Sequence, residues 1–152
     1  MNSEDPPVSL IRLPRGKTTF AGEGVLFGWG WDRSEESTDD LQKVEARIME
    51  YEECKKELPS NAYFENVNIC SYSKGPNHFE GACDGDSGGP FVQYTSEGVE
   101  LVGIVSWGYT PCKSTTMPSI YTRVSAFTDW IDDIIANHFV FLTDYTFRPV
   151  SQ

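Results

Sequence analysis

A glycine-flanked serine is the feature of this sequence best suited to chemistry. It lies in residues 83–90, whose sequence is CDGDSGGP. Glycines at 85 and 88 allow the main chain to turn sharply and to approach a substrate closely, because they carry no Cβ. We expect the backbone N–H groups of Gly85 and Ser87 to point together at an oxyanion, the electrostatic contribution that usually dominates acyl transfer. Asp86 needs a cation or several hydrogen-bond donors if this turn buries its carboxylate.

The elements that must position this serine are predicted to be mostly strands. Alternating or β-branched and aromatic residues predict strands over 8–13, 25–31, 41–48, 68–70, 91–94, 99–107 and 119–124. Helix-forming residues predict a helix over 50–58 and a second one capped by Ser125, in which apolar residues recur at helical spacing. Residues 71–80 are predicted to form a polar loop, and the apolar residues 101–105 to be buried on both faces.

Composition indicates one loop-rich globular domain. The 152 residues are 39% hydrophobic and include 13 glycines and 9 prolines. A net charge of −11 argues against nucleic acid or an anionic membrane surface as a partner. The sequence contains no apolar run long enough to predict a membrane span.

The four cysteines favour two disulfides, which form in oxidising compartments. Considered alone, they leave three connectivities open. Zinc is the alternative, but the sequence has no Cys-x-x-Cys pair and no His-x-x-x-His spacing, so we expect no metal site. The first residues, MNSEDPP, are acidic and do not resemble a signal peptide. We therefore expect a secreted protein of which this chain is a part.

The segment GDSGGP at 85–90 resembles the nucleophile loop of the chymotrypsin-like serine proteases. Matching segments lie at the spacing of that family: GWG at 28–30, SWG at 106–108, Cys112 and YTRV at 121–124. The residues EGAC at 80–83 and the absence of a third disulfide are similar to arthropod chymotrypsin-like enzymes. The competing interpretation of Ser87 is a serine that merely lines a glycine-rich turn.

This resemblance covers residues 8–138 and implies an all-β fold. The expected architecture is an antiparallel Greek-key β-barrel, the second barrel of a chymotrypsin-like protease, followed by a C-terminal α-helix. The resemblance also implies the disulfides Cys54–Cys70 and Cys83–Cys112, and no cofactor. Residues 139–152 form an extension to which the sequence assigns no role.

The resemblance implies that Ser87 is the nucleophile, that Gly85 supplies an oxyanion-hole N–H and that Asp86 is structural. The implied substrate-binding residues are Gly81, Ala82, Ser106, Trp107, Gly108 and Ser119. Because the pocket base carries no charge at Gly81 and Gly108 leaves the mouth open, the implied preference is for large apolar or aromatic side chains. Smaller aliphatic side chains remain compatible with this pocket. Ordinary strand packing is the competing interpretation of Trp107 and Gly108.

Chymotrypsin-like catalysis also needs a histidine base and an aspartate that orients it. The sequence has neither residue in the motifs of that family, and we interpret His78 and His138 as non-catalytic. We therefore expect a serine endopeptidase that acts on peptides or proteins but is inactive as this chain alone. A missing N-terminal barrel is an expected partner. The alternative is a non-catalytic homologue that binds peptides or proteins.

Overall fold

A closed antiparallel barrel forms the body of the molecule. The computed structural model describes residues 9–16, 21–31, 38–73, 80–112 and 117–138. The strands within these residues are β1 (Gly22–Gly28), β2 (Gln42–Met49), β3 (Asn68–Ser73), β4 (Pro90–Thr95), β5 (Gly98–Trp107) and β6 (Ser119–Arg123). They follow one another around the barrel in the order β1-β2-β3-β6-β5-β4, and β4 pairs with β1 to close it. The predicted all-β barrel is confirmed.

Two helices accompany the barrel. The first, α1 (Tyr51–Glu57), connects β2 to β3, and the second, α2 (Thr128–His138), follows β6 after a 3-10 turn at Val124–Ala126. Neither helix in the described part of the chain is long and apolar enough to cross a membrane.

Side chains of alternate residues divide the core into two clusters. One fills the barrel, where the rings of Phe91 and Tyr121 stack with their centroids 4.4 Å apart. The other lies between α1 and the outer face of the barrel and contains Cys54 and Cys70, which form a disulfide. Because successive strand residues face opposite sides, Tyr121 enters the first cluster and its neighbour Ile120 the second.

Three predicted strand boundaries were wrong by three residues, and the first is the start of β1, which lies at Gly22 and not at Val25. Strand β1 ends at Gly28 and not at Trp31, because the next N–H groups leave the ladder: Gly30 N donates to Asp86 Oδ1 at 2.8 Å and Trp31 N to the Asp84 carbonyl at 2.8 Å. Strand β3 continues to Ser73, where its residues still pair with β2. Residues 71–73, predicted as loop, therefore belong to the barrel.

Three further expectations need correction. Ile104 is 37% exposed, because it lies on the outer side of β5, so residues 101–105 are not buried on both faces. Ser125 lies in the 3-10 turn, and α2 begins at Thr128, whose hydroxyl donates to the Ser125 carbonyl. In the segment 9–16 the structure has one isolated parallel bridge, Arg12 with Glu100, in place of a strand. Val8 lies outside the described residues.

Candidate active site

The nucleophile loop consists of two tight turns and is hydrogen-bonded to β5. Gly85 has a φ of 95° and Gly88 a φ of 81°, values in the left-handed region that favours glycine. Gly88 N donates to the Val105 carbonyl at 3.0 Å, and Val105 N donates to the Gly89 carbonyl at 2.9 Å. These turns leave Ser87 exposed between the two glycines. In the part of the chain that the structure describes, the Ser87 hydroxyl has no hydrogen-bond partner.

Asp86 anchors this loop to the segment after β1. Its side chain is 9% exposed, and its two carboxylate oxygens accept N–H groups from Gly30 at 2.8 Å and from Cys83 at 2.9 Å. A Cβ at position 30 would lie 2.4 Å from the Asp86 Cγ, so only glycine fits there. Two backbone donors thus satisfy the buried carboxylate, as its charge requires.

The backbone N–H groups beside Ser87 are available to a ligand. Within the described residues, neither the Gly85 N–H nor the Ser87 N–H donates to a carbonyl of the chain. The neighbouring Asp86 N–H is engaged with the Cys83 carbonyl at 3.0 Å. The two unengaged donors belong to the loop that carries the exposed hydroxyl, and backbone N–H groups are the kind of donor that oxyanion stabilisation uses.

A pocket opens beside the nucleophile loop. It is lined by Ser71, Tyr72, Ser73, Glu80, Gly81, Ala82, Gly108, Tyr109, Cys112, Met117, Pro118 and Ser119. A Cβ at Gly108 would meet no atom within 4 Å, so this side of the pocket is open. A Cβ at Gly81 would lie 2.5 Å from the Ser119 Oγ, which places that hydroxyl against the pocket base.

The structure separates the predicted substrate-binding residues into two groups. Gly81, Ala82, Gly108 and Ser119 line the pocket, whereas Ser106 and Trp107 lie on the strand that leads to it. The register of β5 on β6 shifts between Val105 and Trp107, so Ser106 is the extra residue and is exposed. Trp107 packs edge-on against Tyr109, with ring centroids 5.9 Å apart.

Sequence reasoning missed two hydroxyl groups beside the pocket, those of Ser71 and Tyr121. Ser71 pairs in register with Ser119, and the Ser71 Oγ lies 2.9 Å from the Tyr121 hydroxyl. Burial raises the pKa of Tyr121 to about 12, although hydrogen bonds from Ser71 and Ser119 oppose this rise. The available signal was the alternation of Ile69, Ser71 and Ser73, which puts all three on the inner face of β3.

Both expected disulfides are present. Cys54–Cys70 joins α1 to β3, and Cys83–Cys112, with Cα atoms 5.5 Å apart, joins the nucleophile loop to the far side of the pocket. Cys83, Asp84 and Cys112 form the one cluster of potential metal ligands among the described residues. Because both sulfurs are oxidised to the disulfide, neither can act as a thiolate ligand.

The described structure places no imidazole beside Ser87. His78 lies outside the described residues, and His138 is the last residue of α2. The general base that a serine nucleophile needs is therefore not among the side chains that the structure positions around the loop.

Comparison with known proteins agrees with this geometry. The family model described as Trypsin matches residues 2–131. Lectizyme of Glossina austeni is 55% identical over 86% of this chain and 47% of its own length. Trypsin-1 of Astacus astacus is 36% identical over 82% of this chain and 51% of its own length. Kallikrein 1-related peptidase b3 of Mus musculus is 35% identical over 86% of this chain and 48% of its own length. The chain thus spans about half the length of these relatives.

Proposed function

The chain belongs to the trypsin family of serine proteases, and we propose that it is the nucleophile-bearing part of a secreted serine endopeptidase. The observation that carries this proposal is the exposed Ser87 hydroxyl, held between two left-handed glycines beside unengaged N–H groups and an open pocket. The two disulfides support secretion, since such bonds persist in oxidising compartments.

In the proposed reaction, the Ser87 Oγ attacks the carbonyl carbon of a peptide bond and transfers its proton to an imidazole base. The carbonyl oxygen becomes an oxyanion that accepts hydrogen bonds from the N–H groups of Gly85 and Ser87. Collapse of this intermediate breaks the C–N bond, and the amine leaves with the proton held by the base. Water then releases the acyl group from Ser87 by the same steps.

The histidine base and its orienting aspartate are proposed to come from the half of the family fold that this chain does not match. Loss of triad residues can lower turnover by about a million-fold. The chain alone is therefore proposed to be inactive. Its proposed partner is the N-terminal barrel of the family fold.

An apolar surface is available to such a barrel. Leu10 is 97% exposed and Trp130 of α2 is 62% exposed. The Arg15–Asp132 ion pair brings the segment 9–16 next to α2. We propose that Trp130 and Ile134, which lie one turn apart on α2, contact the N-terminal barrel.

The pocket supports a preference for large apolar or aromatic side chains before the cleaved bond. Gly81 brings no charge to the pocket base, and the empty space around Gly108 leaves the entrance open. The one carboxylate in the described lining, Glu80, makes an interaction of its own. An acidic residue at the base would be expected to favour lysine or arginine substrates.

A non-catalytic peptide-binding role is the second candidate, because no described side chain serves as a base for Ser87. A chimera decides between the two: the part of Lectizyme that this chain does not match is joined to residues 1–152. The proposal expects hydrolysis of aromatic peptide substrates by the chimera and none by its Ser87→Ala variant. A folded chimera that binds peptides without hydrolysing them would support the binding role.

A further inference from the structure

The two disulfides of this chain differ in accessibility. Cys54 and Cys70 are 0% exposed. Cys83 and Cys112 are half-buried. Because thiol–disulfide exchange requires a thiolate to attack a sulfur atom, the reaction depends on access to the bond. A dithiol reductant should therefore open Cys83–Cys112 first and leave the buried disulfide closed. In this exchange the dithiol is oxidised to its own disulfide, and Cys83 and Cys112 become thiols.

Three potential metal ligands meet at the accessible disulfide. The Cys83 Sγ, the Cys112 Sγ and a carboxylate oxygen of Asp84 all lie within 4.8 Å of one another. The ligand atoms of a tetrahedral zinc site lie about 3.3–3.8 Å apart, given bonds of about 2.0–2.3 Å to the metal. Once the S–S bond is broken, rotation of the side chains can bring the three atoms to this spacing, because the two cysteine Cα atoms are 5.5 Å apart.

Hydrogen bonds that do not involve the disulfide hold two of these ligands in place. Cys83 N donates to Asp86 Oδ2 at 2.9 Å, and the Cys83 carbonyl accepts the Asp86 N–H at 3.0 Å. The Asp84 carbonyl accepts the Trp31 N–H at 2.8 Å. The third ligand, Cys112, follows β5, which is paired with β4 and β6. Reduction removes none of these contacts, so we expect the fold to keep the three ligands together.

The charges at this site favour a thiophilic divalent cation. Ionised thiols beside the Asp84 carboxylate place several negative charges together, and a bound divalent cation offsets them. Soft thiolate ligands select zinc and related metals over magnesium and calcium. The spacing rule that argued against zinc concerns cysteines that are neighbours in sequence. Cys83 and Cys112 are 29 residues apart, and the fold brings them together.

We propose that reduction of Cys83–Cys112 creates a binding site for a thiophilic divalent cation such as Zn²⁺, with Cys83, Asp84 and Cys112 as its ligands. Both thiols release their protons to solvent as the metal–sulfur bonds form. Three protein ligands leave the fourth tetrahedral position to water. The bound cation then links the nucleophile loop to the far side of the pocket, as the disulfide does in the oxidised chain.

Selective reduction is tested by alkylation. Residues 1–152 are treated under native conditions with increasing dithiothreitol, quenched with iodoacetamide and mapped by peptide mass spectrometry. We expect alkylation of Cys83 and Cys112 at a dithiol concentration that leaves the buried disulfide closed, with an unchanged circular dichroism spectrum. Simultaneous opening of both disulfides, or loss of the barrel on reduction, would overturn the inference, because the fold is what brings the three ligands together.

Binding of Co²⁺, a coloured substitute for Zn²⁺, tests the ligands. Thiolate coordination of Co²⁺ gives a charge-transfer band in the near ultraviolet. After anaerobic removal of the dithiol, we expect this band in the reduced chain and none in the oxidised chain. Asp84→Asn should weaken binding by about ten-fold or more, since even outer-shell partners contribute about 10–100-fold. The matched control is Asp129→Asn, an exposed aspartate on α2, which should bind Co²⁺ as the wild type does.

A reduced chain without the thiolate–cobalt band overturns the inference, and so do equal Co²⁺ affinities of wild type and Asp84→Asn. Zn²⁺ should raise the thermal unfolding midpoint of the reduced chain and leave that of the oxidised chain unchanged. Equal midpoints of the reduced chain with and without Zn²⁺ would contradict the proposed link between loop and pocket. None of these measurements uses a substrate, so their outcome is independent of the protease proposal.

Discussion

The carboxylate of Asp86 holds the nucleophile loop against the segment that follows β1. Replacement by alanine leaves the N–H groups of Gly30 and Cys83 without their acceptor. We expect Asp86→Ala to lower the free energy of unfolding by about 1–3 kcal/mol for each donor left unpaired. Urea unfolding measures this loss. Asp84→Ala is the matched control, because Asp84 is exposed. Equal stability of the two variants would show that the Asp86 contacts contribute little.

The buried phenol of Tyr121 predicts a loss of stability at high pH. Burial raises its pKa from 10.0 to about 12 in the folded state. The contribution of the protonated phenol to the free energy of unfolding is therefore complete below pH 10. It is lost as the pH rises toward 12, because the unfolded state loses the proton first. A difference of about two between the folded and unfolded pKa values corresponds to a loss of about 3 kcal/mol in the free energy of unfolding. Urea unfolding between pH 9 and 11.5 should show a steeper decline for wild type than for Tyr121→Phe. Parallel declines would contradict the account.

A single disulfide ties α1 to the barrel. Cys54–Cys70 closes a separation of 16 residues, and loop-closure entropy predicts that this bond contributes about 3 kcal/mol. We expect Cys54→Ser/Cys70→Ser to lose about this much stability in thermal unfolding, while the barrel remains folded. The Arg47–Glu53 ion pair also joins β2 to α1, but both side chains are more than 40% exposed. Arg47→Ala is the matched control and should cost less than about 1 kcal/mol. A larger loss for Arg47→Ala than for the cysteine pair would reverse this ranking.

The sequence predicts a strand correctly where one hydrophobic pattern runs through the whole strand. The six barrel strands were each predicted, because alternation or β-branched residues mark their half-buried surfaces. The end of β1 depended on a partner 56 residues away, since Asp86 takes the N–H of Gly30. The polar residues of β3 were predicted as a loop because buried serines carry no apolar signal. Ser71 and its hydrogen-bond partner Tyr121 are 50 residues apart in the sequence, so their contact could be identified only from the folded structure.

At the scale of the whole molecule, α2 presents two exposed apolar side chains, Trp130 and Ile134, one turn apart. Large apolar patches on a soluble protein mark interaction surfaces or cause association. We expect the chain alone to self-associate at micromolar concentrations in analytical ultracentrifugation. Trp130→Lys/Ile134→Lys should shift it toward monomer. Tyr94→Lys is the matched control, since Tyr94 is 63% exposed on β4 and should leave association unchanged. A monomeric wild-type chain would contradict this prediction.

We propose that Ser87 is a serine-protease nucleophile whose general base lies outside the described residues. Intact-protein mass spectrometry after treatment with a fluorophosphonate tests it most directly, because this reagent forms a covalent bond with an activated serine. We expect no adduct on residues 1–152 alone and one adduct, mapped to Ser87, on the chimera with the unmatched part of Lectizyme. The Ser87→Ala chimera should remain unmodified. A folded chimera without an adduct, or an adduct at another serine, would contradict the account.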